Sequence, residues 1–181
     1  MQQLNTVPGL ESALMKTLQL AEVNIARMRF PLEDPAMREF VGRLEEVNAL
    51  ADRSAGFVWR LKTEAGNATY LRPFDDDRIL VNMSVWESVE DLKAYSYGGA
   101  HAEVFRRRGD WFEKMDSPSL ALWWIPAGRI PSIDEAKKRL AHLAEHGPTP
   151  FAFNFRNLFP PDVKFARATD WSSFEPCPTA V

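Results

Sequence analysis

The residues best able to do chemistry in this chain begin with one histidine on a predicted helix. His101 shares a face with Val104, Phe105 and Arg108, at the i, i+3, i+4 and i+7 spacing of an inward-facing helical stripe. A neutral imidazole there can act as a general base near neutral pH, or bind a metal or haem. A core histidine whose ring is held by a backbone carbonyl or a carboxylate is the alternative. We take His101 as a candidate catalytic residue and leave that alternative open.

Three asparagines are placed where amides are seldom left without partners. Asn24 and Asn82 lie inside predicted apolar strands, and Asn48 shares a helical face with Leu44 and Ala51. Buried amides need hydrogen-bond partners. The three side chains therefore either satisfy structural needs within the fold or line a pocket that hydrogen-bonds a ligand carbonyl. We predict a catalytic role for Asn24 and ligand contacts for Asn82 and Asn48.

Aromatic side chains would form the walls of such a pocket. The chain has six tryptophans, most of which we expect in the core or at an interface. Arg108 belongs to a run of three arginines that is most simply a solvated helix face, but turned inward it could hold a carboxylate or propionate. The side chains that we expect at the pocket, in addition to the asparagines, are Trp59, Trp86, Tyr95, Phe105, Arg108 and Trp123.

Metal and phosphate chemistry have little support in the sequence. His142 and His146 are four residues apart near a helix end, but no third ligand is evident. The lone cysteine, Cys177, cannot build a multi-thiolate zinc site or an intrachain disulfide. The sequence has no Gly-rich phosphate loop, nucleophile elbow or HExxH motif, so hydrolase, kinase and nicotinamide-dependent functions lack support. We predict no bound metal.

The composition indicates an ordinary globular protein. Its 181 residues are 45% hydrophobic and 26% charged, with a formal net charge of -3. No basic excess indicates nucleic-acid binding, and no apolar run approaches the ~20 residues that span a bilayer. The start of the sequence does not have the basic and apolar regions of a signal peptide. We therefore expect a cytoplasmic protein that binds neither nucleic acid nor membrane.

Hydrophobic periodicity and capping signals predict the elements that position these residues. The predicted order is β-α-β-β-α-β, followed by one further helix. Asp34, Ser88 and Ser132 are placed as helix N-caps, and Gly98-Gly99 interrupts the second helical region. The predicted strands cover residues 18–29, 57–61, 78–86 and 120–125, and the predicted helices cover 34–53, 88–97, 101–115 and 132–145.

This order is that of a ferredoxin-like α+β fold with an antiparallel sheet. Apolar side chains occur at both odd and even strand positions, so both faces of the sheet must be covered, whereas two helices cover only one. We expect the C-terminal tail or a second copy to cover the other face, and we favour a homodimer with its sheets packed face to face. In the tail, Phe151, Phe153 and Phe155 alternate, which predicts three rings on one side. The predicted regions are an N-terminal extension at 1–17, the α+β domain at 18–146, and a Pro/Phe-rich tail at 147–181 that packs on the domain.

Four short motifs of the chain also resemble a known family. They are LAEVNIAR at 20–27, GFVW at 56–59, NMSVWES at 82–88 and WWIPAG at 123–128. Over about residues 18–156 the chain resembles the DUF3291 family of uncharacterised bacterial and fungal proteins. That family resembles the dimeric α+β barrel superfamily, which includes antibiotic-biosynthesis monooxygenases, haem-degrading monooxygenases, chlorite dismutase-like proteins and small stress-response proteins. The resemblance implies the fold and a dimeric α/β barrel, but no single activity, since that fold carries many.

The monooxygenase branch of that superfamily implies a site. There a strand-end Val-Trp-Glu-Ser, matched here by 85–88, leads into helices that carry an aromatic residue and a histidine. Tyr95 falls where haem-degrading members have a tryptophan, but their haem-ligating histidine would align near Phe105. His101 is more similar to the Pro-His-Phe pattern of quinol-type monooxygenases, and Asn24 resembles the pocket asparagine of both types. The departure at Phe105 weighs against haem of the family type, so no cofactor is predicted, and haem stays an open alternative.

Together these features support three functions. The first, which we favour, is a small monooxygenase-like enzyme that acts on an apolar aromatic or polyketide-like molecule without a tightly bound organic cofactor. In such enzymes an electron-rich phenol is deprotonated and its anion stabilised, so that the substrate itself reduces oxygen. The alternatives are a non-catalytic dimer that binds haem or another small ligand, and a structural stress-response dimer without a pocket.

Overall fold

The computed structural model of the protein describes residues 17–64 and 66–168. The predicted N-terminal extension, apart from residue 17, and the last part of the predicted tail lie outside the described residues. Within the described part of the chain, no helix is long and apolar enough to cross a membrane.

Four antiparallel strands form one sheet. They are β1 (Leu18–Arg27), β2 (Phe57–Arg60), β3 (Ile79–Trp86) and β4 (Leu120–Pro126), and their order across the sheet is β2-β3-β1-β4. Every neighbouring pair is antiparallel, which confirms the predicted ferredoxin-like arrangement. The first strand ends before the predicted residue 29, and Met28 instead forms an isolated bridge with Phe112.

Capping residues start the helices where the sequence predicts. Asp34 accepts a hydrogen bond from the Ala36 N–H, but the turn that it begins, Pro35–Met37, is 3₁₀ rather than α-helical. Ser88 and Ser132 each accept the backbone N–H three residues further on. The single helix predicted at 101–115 is interrupted, because the backbone leaves helical geometry at residue 107. The helices are α1 (Arg38–Arg53), α2 (Val89–Tyr97), α3 (Gly99–Arg106), α4 (Arg108–Trp111), α5 (Ile133–His146) and α6 (Val163–Ala166).

The even-numbered residues of β1, β3 and β4 share one face of the sheet, called here the helix face. The strand register places Leu20 opposite Trp86 on this face. Leu92 of α2 packs in the same buried cluster as those two side chains. Residues of α1 and α4 pack in a separate cluster with Leu80, near the other end of β3. The helices therefore cover this face from its two ends.

The odd-numbered strand residues form the second face, which the chain covers by itself. Val23, Ala121, Trp123 and Ile125 are 0% exposed, in one buried cluster with α5 and Phe151. The additional helix that the sequence predicts, α5, thus covers this face. The sequence analysis had expected the tail or a second copy of the protein to cover it. Because these side chains are already buried within one chain, face-to-face packing of two sheets is not open to them. The homodimer itself stays a prediction.

The segment after α5 corrects the prediction of three phenylalanines on one side. Phe153 exchanges backbone hydrogen bonds of 2.8 and 2.9 Å with Leu122 of β4 and so extends the edge of the sheet. Phe151 packs in the second-face cluster, whereas Phe153 and Phe155 pack in the cluster on the helix face. The prediction is wrong because the chain crosses the sheet edge between residues 151 and 153.

A buried charged network fixes this segment to α5. Arg139 is 0% exposed and donates hydrogen bonds to Glu135 Oε1 at 2.9 Å and to the backbone carbonyls of Phe151 and Ala168. Glu135 Oε1 also accepts a hydrogen bond from Trp123 Nε1 at 3.0 Å. Charge-assisted hydrogen bonds of this kind are strong, so α5 holds the C-terminal segment at two separate points.

Candidate functional site

A row of polar side chains crosses the middle of the helix face. Glu22 Oε1 accepts a hydrogen bond from Asn24 Nδ2 at 2.7 Å, and Glu22 Oε2 accepts one from Ser84 Oγ at 2.8 Å. Asn82 Nδ2 donates to Asn24 Oδ1 at 3.3 Å. The antiparallel register sets this arrangement, since it pairs Glu22 with Ser84 and Asn24 with Asn82. The structure therefore brings two predicted asparagines together, beside a carboxyl group that the sequence analysis did not select.

Burial changes steeply along this polar row. Glu22 is 5% exposed, Asn24 and Ser84 are half-buried, and Asn82 is exposed. The row therefore runs from a dry end at the carboxyl group to an open end at the second asparagine.

Burial gives the carboxyl group of Glu22 an unusual proton affinity. It raises the pKa of Glu22 from 4.5 to about 7, and the hydrogen bonds from Asn24 and Ser84 oppose this rise without cancelling it. A carboxyl group with that pKa is present in both protonation states at neutral pH, so it can take up and release a proton there. Carboxyl groups with shifted pKa values are common at functional sites, although structural hydrogen-bond and ion-pair networks also shift them.

Aromatic rings wall the dry end of the row. Trp86 Nε1 donates to Ser84 Oγ at 2.9 Å, and the indole stacks on Tyr95 with ring centroids 5.1 Å apart. Phe57 meets the same indole edge-on at 5.4 Å. Burial, followed by the nearby charge of Glu22, raises the pKa of Tyr95, so its hydroxyl group keeps its proton at neutral pH. The predicted wall of Trp86 and Tyr95 thus lies beside the polar row.

His101 lies behind this wall rather than in the row. Its ring centroid is 4.7 Å from that of Tyr95, and its Nδ1 is 2.8 Å from the backbone oxygen of Ser96. A carbonyl oxygen only accepts, so Nδ1 carries the proton and donates it. Burial lowers the pKa of His101, which keeps the ring neutral at pH 7. The structure therefore shows the alternative in which a backbone carbonyl holds the histidine ring. The other ring nitrogen, Nε2, makes no hydrogen bond among the described residues.

A cavity of about 800 Å³ lies between α1 and the segment that follows β2. Arg60 of β2 lines it and is the cross-strand partner of Ser84, so the cavity lies one strand away from the polar row, whose own side chains do not line it. The Arg60 guanidinium donates to both carboxylate oxygens of Asp52, at 2.8 and 3.2 Å, and to the Gly66 carbonyl. The predicted Asn48 lines this cavity rather than meeting the other two asparagines. Further lining residues include Leu44, Thr69 and Tyr70.

Four of the predicted ligand contacts lie elsewhere. Trp59 and Trp123 pack in the second-face cluster, on the opposite side of the sheet from the polar row. Phe105 is 47% exposed, and the Arg108 guanidinium lies over its ring at 4.2 Å. The solvated helix face that the sequence favoured for the arginines is therefore present at Arg108.

Within the described part of the chain, the geometry supports neither a metal site at His142 and His146 nor a haem ligated at position 105. Among the residues that the structure describes, no three His, Cys, Asp or Glu side chains are grouped to hold a metal ion. His142 is buried with Nε2 2.7 Å from Thr149 Oγ1, and burial lowers its pKa to about 4. Phe105, where the resemblance implies a haem ligand, offers no ligating atom. These residues do not fit a haem held in that way.

Glu22 is the functional candidate that the sequence analysis missed. Its signal is positional, because it stands between Leu20 and Asn24 on the same side of an otherwise apolar strand. A carboxylate flanked in this way must be either paired or raised in pKa. Its partner Ser84 lies 62 residues away, so only the strand register shows which of these holds.

The chain is similar to one protein family and to several solved structures. A family model described as Domain of unknown function (DUF3291) matches residues 19–169. No curated protein matches the chain. Among solved structures it is similar to a mutant of SnoaB, a cofactor-independent oxygenase from Streptomyces nogalater, with 15% identity, a TM-score of 0.41, and coverage of 62% of this chain and 95% of that one.

Two further solved structures are similar at the same level. One is a conserved protein from Methanosarcina mazei Go1, with 11% identity, a TM-score of 0.44, and coverage of 62% of this chain and 95% of that one. The other is a protein of unknown function from Nitrosomonas europaea, with 13% identity, a TM-score of 0.40, and coverage of 64% and 97%. Since the family model spans most of the sequence, the chain belongs to the DUF3291 family.

Proposed function

We propose that this protein is a monooxygenase-like enzyme that acts on an apolar aromatic or polyketide-like small molecule without a tightly bound organic cofactor, and that Glu22 is its general base. The observation that carries the proposal is the Glu22 carboxyl group, buried at the closed end of an open polar row with a pKa raised to about 7. General bases work best when their pKa lies near the operating pH.

The first step of the proposed reaction is removal of a proton from a methylene group activated by a neighbouring phenol. The Glu22 carboxylate takes the proton. Asn24 and Asn82 each have a second amide N–H beyond those that form the row. In the proposed reaction these donors stabilise the negative charge that develops on the substrate oxygen. Both the base and the anion stabilisers then come from one strand pair of the rigid sheet.

Molecular oxygen is the co-substrate of the remaining steps. The substrate anion gives one electron to O₂, and the resulting radicals combine into a peroxide anion, which Glu22 protonates. Loss of the second methylene proton to Glu22 breaks the O–O bond and forms a ketone, and the departing hydroxide takes that proton and leaves as water. In total the CH₂ group and one O₂ become C=O and one H₂O, with no external reductant.

The surroundings of the row suit a flat apolar substrate. The half-buried Tyr95 ring, backed by the fully buried Trp86 indole, offers aromatic surface, and Leu44 and Tyr70 line the cavity on the far side of Arg60. A volume of about 800 Å³ lies within the range of small-molecule sites. Arg60 is already bonded to Asp52 and Gly66, so it is not free to hold a carboxylate, which favours an uncharged substrate.

The test is turnover by matched variants. Hydroxylated anthrones, which carry such a methylene group, would be screened for protein-dependent oxygen consumption, with product identified by mass spectrometry. Replacing Glu22 with Gln removes the base and keeps the shape, so turnover should fall by about 100-fold or more. Glu90, exposed on α2 and away from the row, gives the control Glu90→Gln, which should keep full activity. Equal turnover of Glu22→Gln and wild type would refute the proposal.

A second candidate function is ligand binding without catalysis, with haem as the first ligand to test. It is favoured by His101, whose Nε2 makes no hydrogen bond among the described residues while Nδ1 is fixed on Ser96. An absorption spectrum recorded during haem titration separates the two functions. A Soret band that shifts, saturates at one haem per chain and disappears in His101→Ala would support haem binding, and a flat titration would exclude it.

A further inference from the structure

The hydroxyl group of Ser84 joins the aromatic wall to the buried carboxyl group. Its Oγ lies 2.9 Å from Trp86 Nε1 and 2.8 Å from Glu22 Oε2. An indole N–H can only donate, so Ser84 must accept at that contact and its single proton is left for the carboxylate. We propose that Trp86 is a positioning residue that sets the proton affinity of Glu22 through the Ser84 hydroxyl group.

The indole is held so that its N–H has one direction. Trp86 is 0% exposed, stacked on Tyr95 at 5.1 Å and met edge-on by Phe57 at 5.4 Å. A fully buried ring with these two neighbours cannot turn its N–H away from Ser84 without breaking these contacts. The wall therefore determines the orientation of a hydrogen bond that ends on the carboxyl group.

Donation by the indole stabilises the ionised form of the acid. A hydroxyl group that accepts one hydrogen bond becomes a better donor in the next, because linked hydrogen bonds polarise each other. Without the indole N–H, the Ser84 hydroxyl is free to rotate, and its bond to Glu22 weakens. The protonated carboxyl group needs that bond less than the carboxylate does, so losing the indole donor favours protonation.

Other charged and titratable groups lie on the elements packed near the carboxyl group. Tyr95 of α2 keeps its proton at neutral pH, because burial and then the charge of Glu22 raise its pKa. Arg60 of β2 and Asp52 of α1 neutralise each other through paired hydrogen bonds. His101 of α3 is separated from the row by the Tyr95 ring. None of these groups bonds to Ser84 in the described residues.

The inference bears on turnover only if Glu22 is the base, and so rests on the proposed function, but its test needs no substrate. Protein labelled with ¹³C at glutamate carboxyl carbons would be titrated by NMR, with the Glu22 signal assigned from Glu22→Gln. In Trp86→Phe the Glu22 midpoint should move to higher pH, a roughly fivefold gain in proton affinity, the size of one neutral hydrogen bond. Trp124, whose Nε1 donates to the Phe159 carbonyl at 2.9 Å, gives the control Trp124→Phe, which should leave the midpoint unchanged.

Variants of the linking hydroxyl group complete the test. Ser84→Ala should raise the midpoint, Ser84→Thr should restore it, and adding Trp86→Phe to Ser84→Ala should change it no further. In wild-type protein the indole N–H resonance of Trp86 should shift with the same midpoint as Glu22, a readout that does not require Trp86→Phe to fold. A Trp86→Phe midpoint equal to wild type, or an indole resonance indifferent to the Glu22 titration, would overturn the inference. Neither result depends on whether the protein turns over a substrate.

Discussion

Glu22 and Ser84 stand directly opposite each other on neighbouring antiparallel strands, and the serine hydroxyl group donates to the glutamate carboxyl group at 2.8 Å. This pairing places an acid in the otherwise apolar interior of the helix face. The energetic cost of that placement is partly offset by two hydrogen bonds, and the remainder appears as the raised pKa of Glu22.

The buried carboxyl group makes the stability of the protein depend on pH. The pKa of Glu22 is about 7 in the folded protein against an ordinary value of 4.5, so the folded state binds this proton more tightly. Well below pH 4.5 the carboxyl group is protonated in both the folded and the unfolded state, so its burial does not lower the stability. The free energy of unfolding then falls as the pH rises from 4.5 through 7, by about 3 kcal/mol from this group. Urea unfolding at pH 5 and pH 8 should show this loss in wild type and a smaller one in Glu22→Gln. Equal pH dependence of the two proteins would contradict the assignment.

The network at Arg139 predicts a large effect of removing one charge. Glu135→Gln leaves a fully buried guanidinium without its counter-ion, and breaking such a pair typically costs about 3–5 kcal/mol. Glu145 on the same helix is 76% exposed, and Glu145→Gln should change the free energy of unfolding by less than about 1 kcal/mol. Chemical denaturation of both variants measures this difference. A Glu135→Gln protein as stable as wild type would show that the network does not hold the C-terminal segment.

Two glycines give opposite expectations for the same substitution. Gly56 has φ +69, and an added Cβ would lie 2.2 Å from Asp91 Oδ2 at the start of α2, so Gly56→Ala should cost at least about 2 kcal/mol. Gly42 lies inside α1 with no atom within 4 Å of an added Cβ, so Gly42→Ala should stabilise the protein by about 1 kcal/mol. Thermal unfolding of the two variants is the measurement. A stabilised Gly56→Ala would mean that α2 does not sit as described.

His101 and Glu22 compete for the role of base, and their variants separate them. His101 donates its Nδ1 proton to the Ser96 backbone carbonyl, and its ring contacts Tyr95. We therefore expect His101→Gln to reduce kcat by less than about tenfold, through a small displacement of the Tyr95 ring. Glu22→Gln should lose at least about 100-fold. Steady-state kinetics on a substrate found by screening decides between them. A greater loss in His101→Gln would return the catalytic role to the histidine.

Much of the fold could be predicted from the sequence, because its signals are local. The caps at Ser88 and Ser132 and the apolar side chains on both faces of β1 need no distant partner to be recognised. The sequence did not show what covers the second face of the sheet, because a helix of the same chain and a second copy of the protein would bury the same apolar residues. Whether the chain forms a homodimer through another surface is open to measurement by light scattering on the purified protein.

The candidate site could be predicted only in part, for a related reason. Asn24 and Asn82 were selected because amides stood out in apolar strands, whereas Trp86 and Tyr95 were selected as aromatic pocket walls with the help of the family resemblance. Glu22 was passed over because a single carboxylate in a strand looks like an ordinary solvated residue until its depth is known. Trp59, Trp123, Phe105 and Arg108 were selected by residue type, and the face on which each lies depends on strand register and helix packing rather than on type.

The most direct test of the account is the proton affinity of Glu22 itself. Carboxyl ¹³C resonances of the wild-type protein, followed from pH 3 to pH 9 without any ligand, give its titration midpoint. The account predicts one glutamate signal, missing from Glu22→Gln, with a midpoint near pH 7. A midpoint near the ordinary value of 4.5 would mean that the carboxyl group is charged and solvated, and the proposed base would have to be abandoned.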